Sequence, residues 1–292
     1  MTVTLDKPVK PGHPLSARNL LAAALSAYLP MIIAVLVVTL PLLWMVLASF
    51  KTPSELLTTK FSIFPQSLAP TNYIEAAKRV PFGRLFLNST IVTVAGAGIK
   101  LILAIFTAYA LVFVRFPAKN VIFAGILATL MVPPQVSLLP NFLLITDWGG
   151  ANTYWGIVLP GLGTGFGTFL LRQHFLALPK SITEAAEIDG AGHWRRLWSI
   201  VVPVSMPSIA TVALVNIVFE WNDYLWPLVI ISEPSMMTLP VGLTLLSNSE
   251  SGAVAYPLEM AGSVAVILPV LVIFTALQRY IIAGLTQGAV KD

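Results

Sequence analysis

The 292 residues contain no cysteine, which excludes disulfides and thiolate metal sites. Histidine is nearly as scarce: His13, His174 and His193 are scattered and form no ligand cluster. Charge is thin as well, at 10% Asp, Glu, Lys and Arg, against about 25% in an ordinary soluble domain. With 57% hydrophobic residues and a mean hydropathy of +0.84, that shortage excludes a soluble globular chain. No G-x-x-x-x-G-K-S/T run occurs, so the chain has no recognisable phosphate-cradling loop of its own. Hydroxyls, histidines and acids assemble no catalytic set, and no nucleophile elbow is present; catalytic and metal-ligating residues are expected to be absent.

What is abundant is continuous apolar sequence. A helix rising 1.5 Å per residue needs about 20 such residues to cross roughly 30 Å of hydrocarbon. Six runs qualify, near Tyr28–Phe50, Phe86–Val114, Val121–Ile145, Tyr154–Leu171, Met206–Ile230 and Glu259–Leu277. They do not alternate in polarity, so the expectation is an all-α membrane protein of six transmembrane helices, not a barrel. An N-terminal segment 1–27, a membrane domain 28–283 and a tail 284–292 follow from those limits. "AALSA" could precede a cleavage site, but the apolar run continues to Phe50, as in an uncleaved span. Pro133 and Pro134 in "MVPPQV" predict a break in the third span.

Orientation follows from Lys and Arg. If the N-terminus is cytoplasmic, eleven of seventeen fall inside: Lys7, Lys10, Arg18, Arg115, Lys119, Arg172, Lys180, Arg195, Arg196, Arg279 and Lys291. The outside holds Lys51, Lys60, Lys78, Arg79 and Arg84, all in one long first loop, and Lys100 lies within a span. Both termini are therefore expected in the cytoplasm. The net charge of +4 reports this topology and is no argument for nucleic acid.

Against this background one stretch is anomalous. "SITEAAEIDGAGHWRRLWSIVVP", residues 181–203, crowds Glu184, Glu187, Asp189, Arg195 and Arg196 between two apolar runs. Ser181 and Glu184 have capping-box spacing, which predicts a helix from Ile182. Gly190 is its natural stop. A second helix would carry Trp194, Leu197, Trp198 and Val201 as one apolar stripe on the membrane interface, with Arg195 and Arg196 facing headgroups or water. Pro203 and Pro207 would open the next span. Pattern alone leaves two readings, a solvated hairpin and a docking element.

Glu184-Ala185-Ala186, three residues, Gly190, nine residues, then Ile200-Val201-Val202-Pro203 resembles the EAA loop of bacterial ABC importer permeases. Val202 stands where that pattern often has Leu, a mild apolar exchange. "WMVLASFKTPSEL", "LNSTIV", "MVPPQVSLLPNFLLI", "NTYWGIVLP", "EWNDYLWPLVI" and "QRYIIAGLTQGAVKD" resemble, in order, segments of the carbohydrate-uptake branch that includes the maltose permease MalG. The resemblance implies that Glu184, Ala185, Ala186, Asp189, Gly190 and Pro203 belong to a loop docking into ATP-binding subunits. It also implies a homologous second permease, two ATPases, which would hold ATP and Mg, and an external sugar-binding protein. The implied setting is the bacterial inner membrane, and the implied activity is ATP-driven import of a sugar, such as a di- or oligosaccharide. A polyol or glycerol phosphate ester is the alternative within that class.

Other residues invite a role in the pathway. Glu220, Trp221, Asn222, Asp223, Tyr224 and Trp226 place polar groups beside aromatics, the chemistry a sugar site uses. Their other reading is helix packing with aromatics marking the interface. Lys100, near mid-bilayer, costs about 2.5–3.5 kcal/mol on insertion scales, so it should face the pathway or a carboxylate, or else snorkel along a tilted helix. A proton-coupled carrier titrating Lys100 and Glu220 is the rival from another class, weakly disfavoured by the lack of a visible inverted repeat.

Overall fold

Apolar surroundings force each backbone N–H and C=O to find a partner within the chain, and helices satisfy that demand locally. The computed structural model describes residues 17–56, 62–249 and 255–287, and no strand occurs among them. The helices are α1 Ala17–Ser49, α2 Pro53–Leu56, α3 Thr71–Arg79, α4 Phe82–Phe113, α5 Lys119–Leu130, α6 Leu138–Asp147, α7 Tyr154–Val158 and α8 Gly165–Ala177. After them come α9 Lys180–Ile188, α10 His193–Arg196, α11 Val202–Val204, α12 Met206–Trp221, α13 Leu225–Ile230, α14 Leu239–Gly242, α15 Thr244–Ser249 and α16 Ala255–Gln287. Lys7, Lys10, Lys60 and Lys291, counted for orientation, lie outside the described residues, as does most of the N-terminal segment.

Among the described residues, three helices are long and apolar enough to cross a bilayer unaided: Tyr28–Ser49, Phe82–Phe113 and Ala255–Ala276. Three bent pairs qualify only when joined, which brings the number to six: 119–130 with 134–147 at 89°, 154–161 with 165–177 at 50°, and 193–204 with 206–230 at 83°. The third span thus breaks at Pro133–Pro134, where a short 3-10 turn, Pro134–Ser137, begins.

Two further spans are interrupted where no break was predicted. The fourth is interrupted by "LPGLGTGFG", where Pro160 removes a donor and Leu162 and Thr164 leave helical geometry. The fifth stops at Trp221 and resumes at Leu225, because the ring of Pro227 would clash with the carbonyl of residue 223 in a continuous helix.

The long helix α4 is the centre of the bundle, packing on α8 and α12, while α12 also meets α16 and α16 meets α1. Within a bilayer such contacts rest on close packing, which small residues permit. Ala104 and Ala108 are fully buried on one face of α4. A Cβ on Gly167 of α8 would come 3.0 Å from Ala104 Cβ and 3.1 Å from Val212 Cγ1, so this glycine lets three helices converge. Leu171, Phe175, Leu197, Val201 and Val212 fill the same cluster.

At the other end of α4, polar groups clip the bundle. Lys51 is 2% exposed, bonded to the Ser62 carbonyl and set 4.5 Å above the Trp44 ring. Asn72 donates to the Ser49 and Lys51 carbonyls at 2.8 and 2.9 Å.

Candidate functional site

In the charged loop, α9 starts at Lys180 with Pro179 ahead of it and no side-chain cap. The expected capping box between Ser181 and Glu184 does not form. Ser181 already lies inside the first turn, where its helical backbone carries the hydroxyl away from the amides it would cap. Ala186 is buried, whereas Glu184, Ala185, Ile188 and Asp189 are exposed on one side. Gly190 ends the helix at φ +70°, a conformation other side chains resist. Ala191 N–H donates to the Ala186 carbonyl at 2.9 Å and Gly190 N–H to that of Glu187 at 3.0 Å, the paired bonds of a Schellman stop.

The second half of the loop departs from expectation. After α10 the chain widens into a π turn, Leu197–Val201. Pro203, exposed in α11, has no N–H and would press on the carbonyl of residue 199, a conflict that a wider turn relieves. The predicted stripe is therefore split. Leu197 and Val201 are buried at 2% and 1%, while Trp194 and Trp198 stay exposed and pack on the Phe106 ring. Arg196 does not face headgroups or water. Its side chain is buried and donates to Glu187 Oε1 at 2.8 Å across the turn. The Tyr109 hydroxyl of α4 donates to the His193 carbonyl at 3.1 Å and lies 3.1 Å from His193 Nδ1.

Deeper in the bundle, Lys100 of α4 has a carboxylate partner: it is ion-paired with Glu220 of α12. Their side chains are only 18% and 11% exposed. Gly96 makes room for the pair, since a Cβ there would lie 2.5 Å from Glu220 Oε2. A Cβ on Gly161, at the bend before α8, would lie 3.4 Å from Lys100 Nζ. Asp223, on the break after α12, is within electrostatic range of both charges.

The remaining pathway candidates separate from this centre. Asn222 is exposed and returns its amide to the Val218 carbonyl at 2.8 Å, closing the end of α12. The Trp226 indole donates to the Gly156 and Ile157 carbonyls at 3.2 and 3.0 Å, so it struts α13 against α7.

Sequence reasoning gave Asn88 no role. It is completely buried and fully bonded: Nδ2 donates to the Ser235 and Met237 carbonyls at 2.9 Å each, and Oδ1 accepts from the Tyr154 hydroxyl at 2.7 Å. Ser89 Oγ accepts from the Leu239 N–H at 2.7 Å. Two adjacent polar residues on an apolar helix were the available signal.

Among the described residues no three His, Cys, Asp or Glu side chains gather as a metal site. Broken helical spans thus surround a buried ion pair, with a charged hairpin at one end of the bundle. The chain belongs to the binding-protein-dependent transport system inner membrane components, whose family model matches residues 100–287. It is thus the permease part of a transport system, not its ATPase.

Among curated relatives it is similar to the sn-glycerol-3-phosphate transport system permease protein UgpE of Agrobacterium fabrum, 31% identical over 272 residues, covering 91% of this chain and 96% of that one. It is also similar to the arabinooligosaccharides transport system permease protein AraQ of Halalkalibacterium halodurans, 34% identical, covering 86% and 90%. In fold it is similar to a chain of a bacterial ABC transporter involved in import of the acidic polysaccharide alginate, with TM-score 0.79 and 23% identity, covering 91% of this chain and 98% of that one.

Proposed function

We propose that this chain forms one half of the permease core of an ATP-driven importer, beside a homologous second permease and two ATP-binding subunits that hold Mg-ATP. Residues 181–203 dock into those subunits. Supporting this, Glu184, Ala185, Ile188 and Asp189 form one outward face on a helix anchored by Ala186 and a glycine stop. Ile188 is 86% exposed, an aliphatic side chain left in a charged setting as docking surfaces leave them. Both termini and the loop are cytoplasmic, an orientation favoured by eleven of seventeen Lys and Arg on that side.

The solute, delivered by an external binding protein, is a sugar of di- or oligosaccharide size, the class carried by the arabinooligosaccharide relative. Asn222 and Asp223 contact it where the fifth span breaks, with Lys100, Glu220 and Trp226 around them. Import of a glycerol phosphate ester is the second reading, favoured by the UgpE relative. Family membership lends no support to a proton-coupled carrier.

The test is uptake by the reconstituted complex with arabinotriose and sn-glycerol 3-phosphate as probes. Uptake of the trisaccharide supports the first reading, and uptake of the phosphate ester alone replaces it with the second.

A further inference from the structure

We propose that Lys100 and Glu220 form a brace that makes α4 and α12 one lever, carrying displacement of the charged loop to mid-membrane. The proposal rests on the docking of that loop to ATP-binding subunits.

Both helices are held by the loop at one end. On α4, Tyr109 bonds to His193, and the Phe106 ring lies 5.9 Å from that of Trp194 and 6.0 Å from that of Trp198. The attachment of α12 is covalent, through Ser205, whose N–H bonds to the Val201 and Val202 carbonyls at 3.0 and 3.1 Å. Lys100 lies nine residues before Tyr109, roughly 13 Å along the helix. Glu220 lies fifteen residues after Ser205, roughly 22 Å.

Between loop and ion pair, Ala104, Ile105 and Ala108 of α4 share one buried apolar cluster with Ile209 and Val212 of α12, and the two helices pack together. Small side chains such as these alanines pack closely but present shallow ridges, so they fix register less firmly than a paired charge does. An ion pair has short reach and fixes register. It is also singular here: Glu220 is the one charged residue of α12, and α4 carries only Arg84 besides Lys100. Gly96 and Gly161 keep the surrounding backbone clear of the pair, so neither charge has to be displaced to fit. Without the brace the loop could move while α4 slipped past α12, and the break at residues 222–224 would not respond.

This chain has no cysteine, so a single engineered thiol is its one labelling site, read on this subunit after the labelled complex is separated. Leu225→Cys, exposed just past the break at residues 222–224, reports movement there through its labelling by a membrane-impermeant maleimide, with and without Mg-ATP and vanadate. In the complete reconstituted complex with its binding protein, trapping is expected to change the labelling rate about tenfold. In the same background Lys100→Met with Glu220→Gln removes both partners together, so neither is left buried without the other, and the nucleotide-dependent change should fall to within about twofold. Lys100→Glu with Glu220→Lys should restore it, which mere neutralisation of a buried charge would not require.

Three results overturn the brace. One is a full change in the neutral pair. Another is no recovery in a swapped pair that assembles and traps nucleotide normally. The third is no change in the Leu225→Cys background despite trapping. If that background neither binds ATPase nor traps nucleotide, the docking reading itself fails, and the brace with it.

Discussion

Arg196 and Glu187 are joined at 2.8 Å across the turn of the charged loop, the arginine buried and the glutamate 63% exposed. The asymmetry decides which substitution costs more. Glu187→Ala leaves a buried guanidinium without its carboxylate, a loss of about 1–3 kcal/mol. Arg196→Met removes the buried charge and leaves Glu187 in water, so it should cost less. Thermal unfolding of the detergent-purified complex should place Glu187→Ala below Arg196→Met, and the reverse order would mean the pair does not position the loop.

Gly190→Val is expected to strain the Schellman stop by about 1–3 kcal/mol, because a β-branched residue resists positive φ. The cost is local, so insertion should be normal while ATPase association and substrate-stimulated hydrolysis fall. Glu184→Lys acts differently from what a capping box would imply. Its side chain lies on the exposed face and supports no cap, so stability should change by less than about 0.5 kcal/mol. Co-purification of the ATPase should drop nonetheless; undiminished binding in both variants returns the loop to a solvated hairpin.

Asn88→Ala should be among the most damaging single changes outside the loop. It strips partners from the Tyr154 hydroxyl and two carbonyls, at about 1–3 kcal/mol for each group left buried and unpaired. Tyr154→Phe removes one bond and should cost about 0.5–1.5 kcal/mol. Melting temperatures in detergent check the ordering.

Glu55 lies outside the spans, and its carboxylate accepts the N–H of Gln66 at 2.9 Å and of Ser67 at 3.3 Å. These bonds, that of Gln66 foremost, hold its pKa below the ordinary glutamate value. A lowered folded pKa contributes stability in full above the unfolded value, and that contribution is lost as pH falls through the folded one. The segment carrying Gln66 and Ser67 should therefore become more protease-sensitive in acid, and Glu55→Gln should blunt that response. An equal acid response in the variant would assign it to other groups.

How much of this was legible beforehand depends on the reach of each signal. The apolar runs, the break at Pro133–Pro134 and the stop at Gly190 are local, encoded within a few residues. Lys100 could be flagged by its cost, but its partner stands 120 residues away and depends on how α12 packs. Arg196 was misread because its partner Glu187 lies across the Gly190 turn, and the geometry of that turn decides which face of the second helix is buried. The break in the fourth span was not predicted, because its apolar content outweighed the glycines and Pro160 that bend it. Asn88 acquires its role only from carbonyls 147 and 149 residues away.

The most direct test of the central claim is uptake into proteoliposomes holding the reconstituted complex and its binding protein, loaded with Mg-ATP or given only an imposed proton gradient. Arabinotriose and sn-glycerol 3-phosphate serve as probes. Uptake should require internal ATP, persist with an uncoupler and collapse in Gly190→Val. Uptake driven by the gradient without ATP, or undiminished in Gly190→Val, would contradict the account.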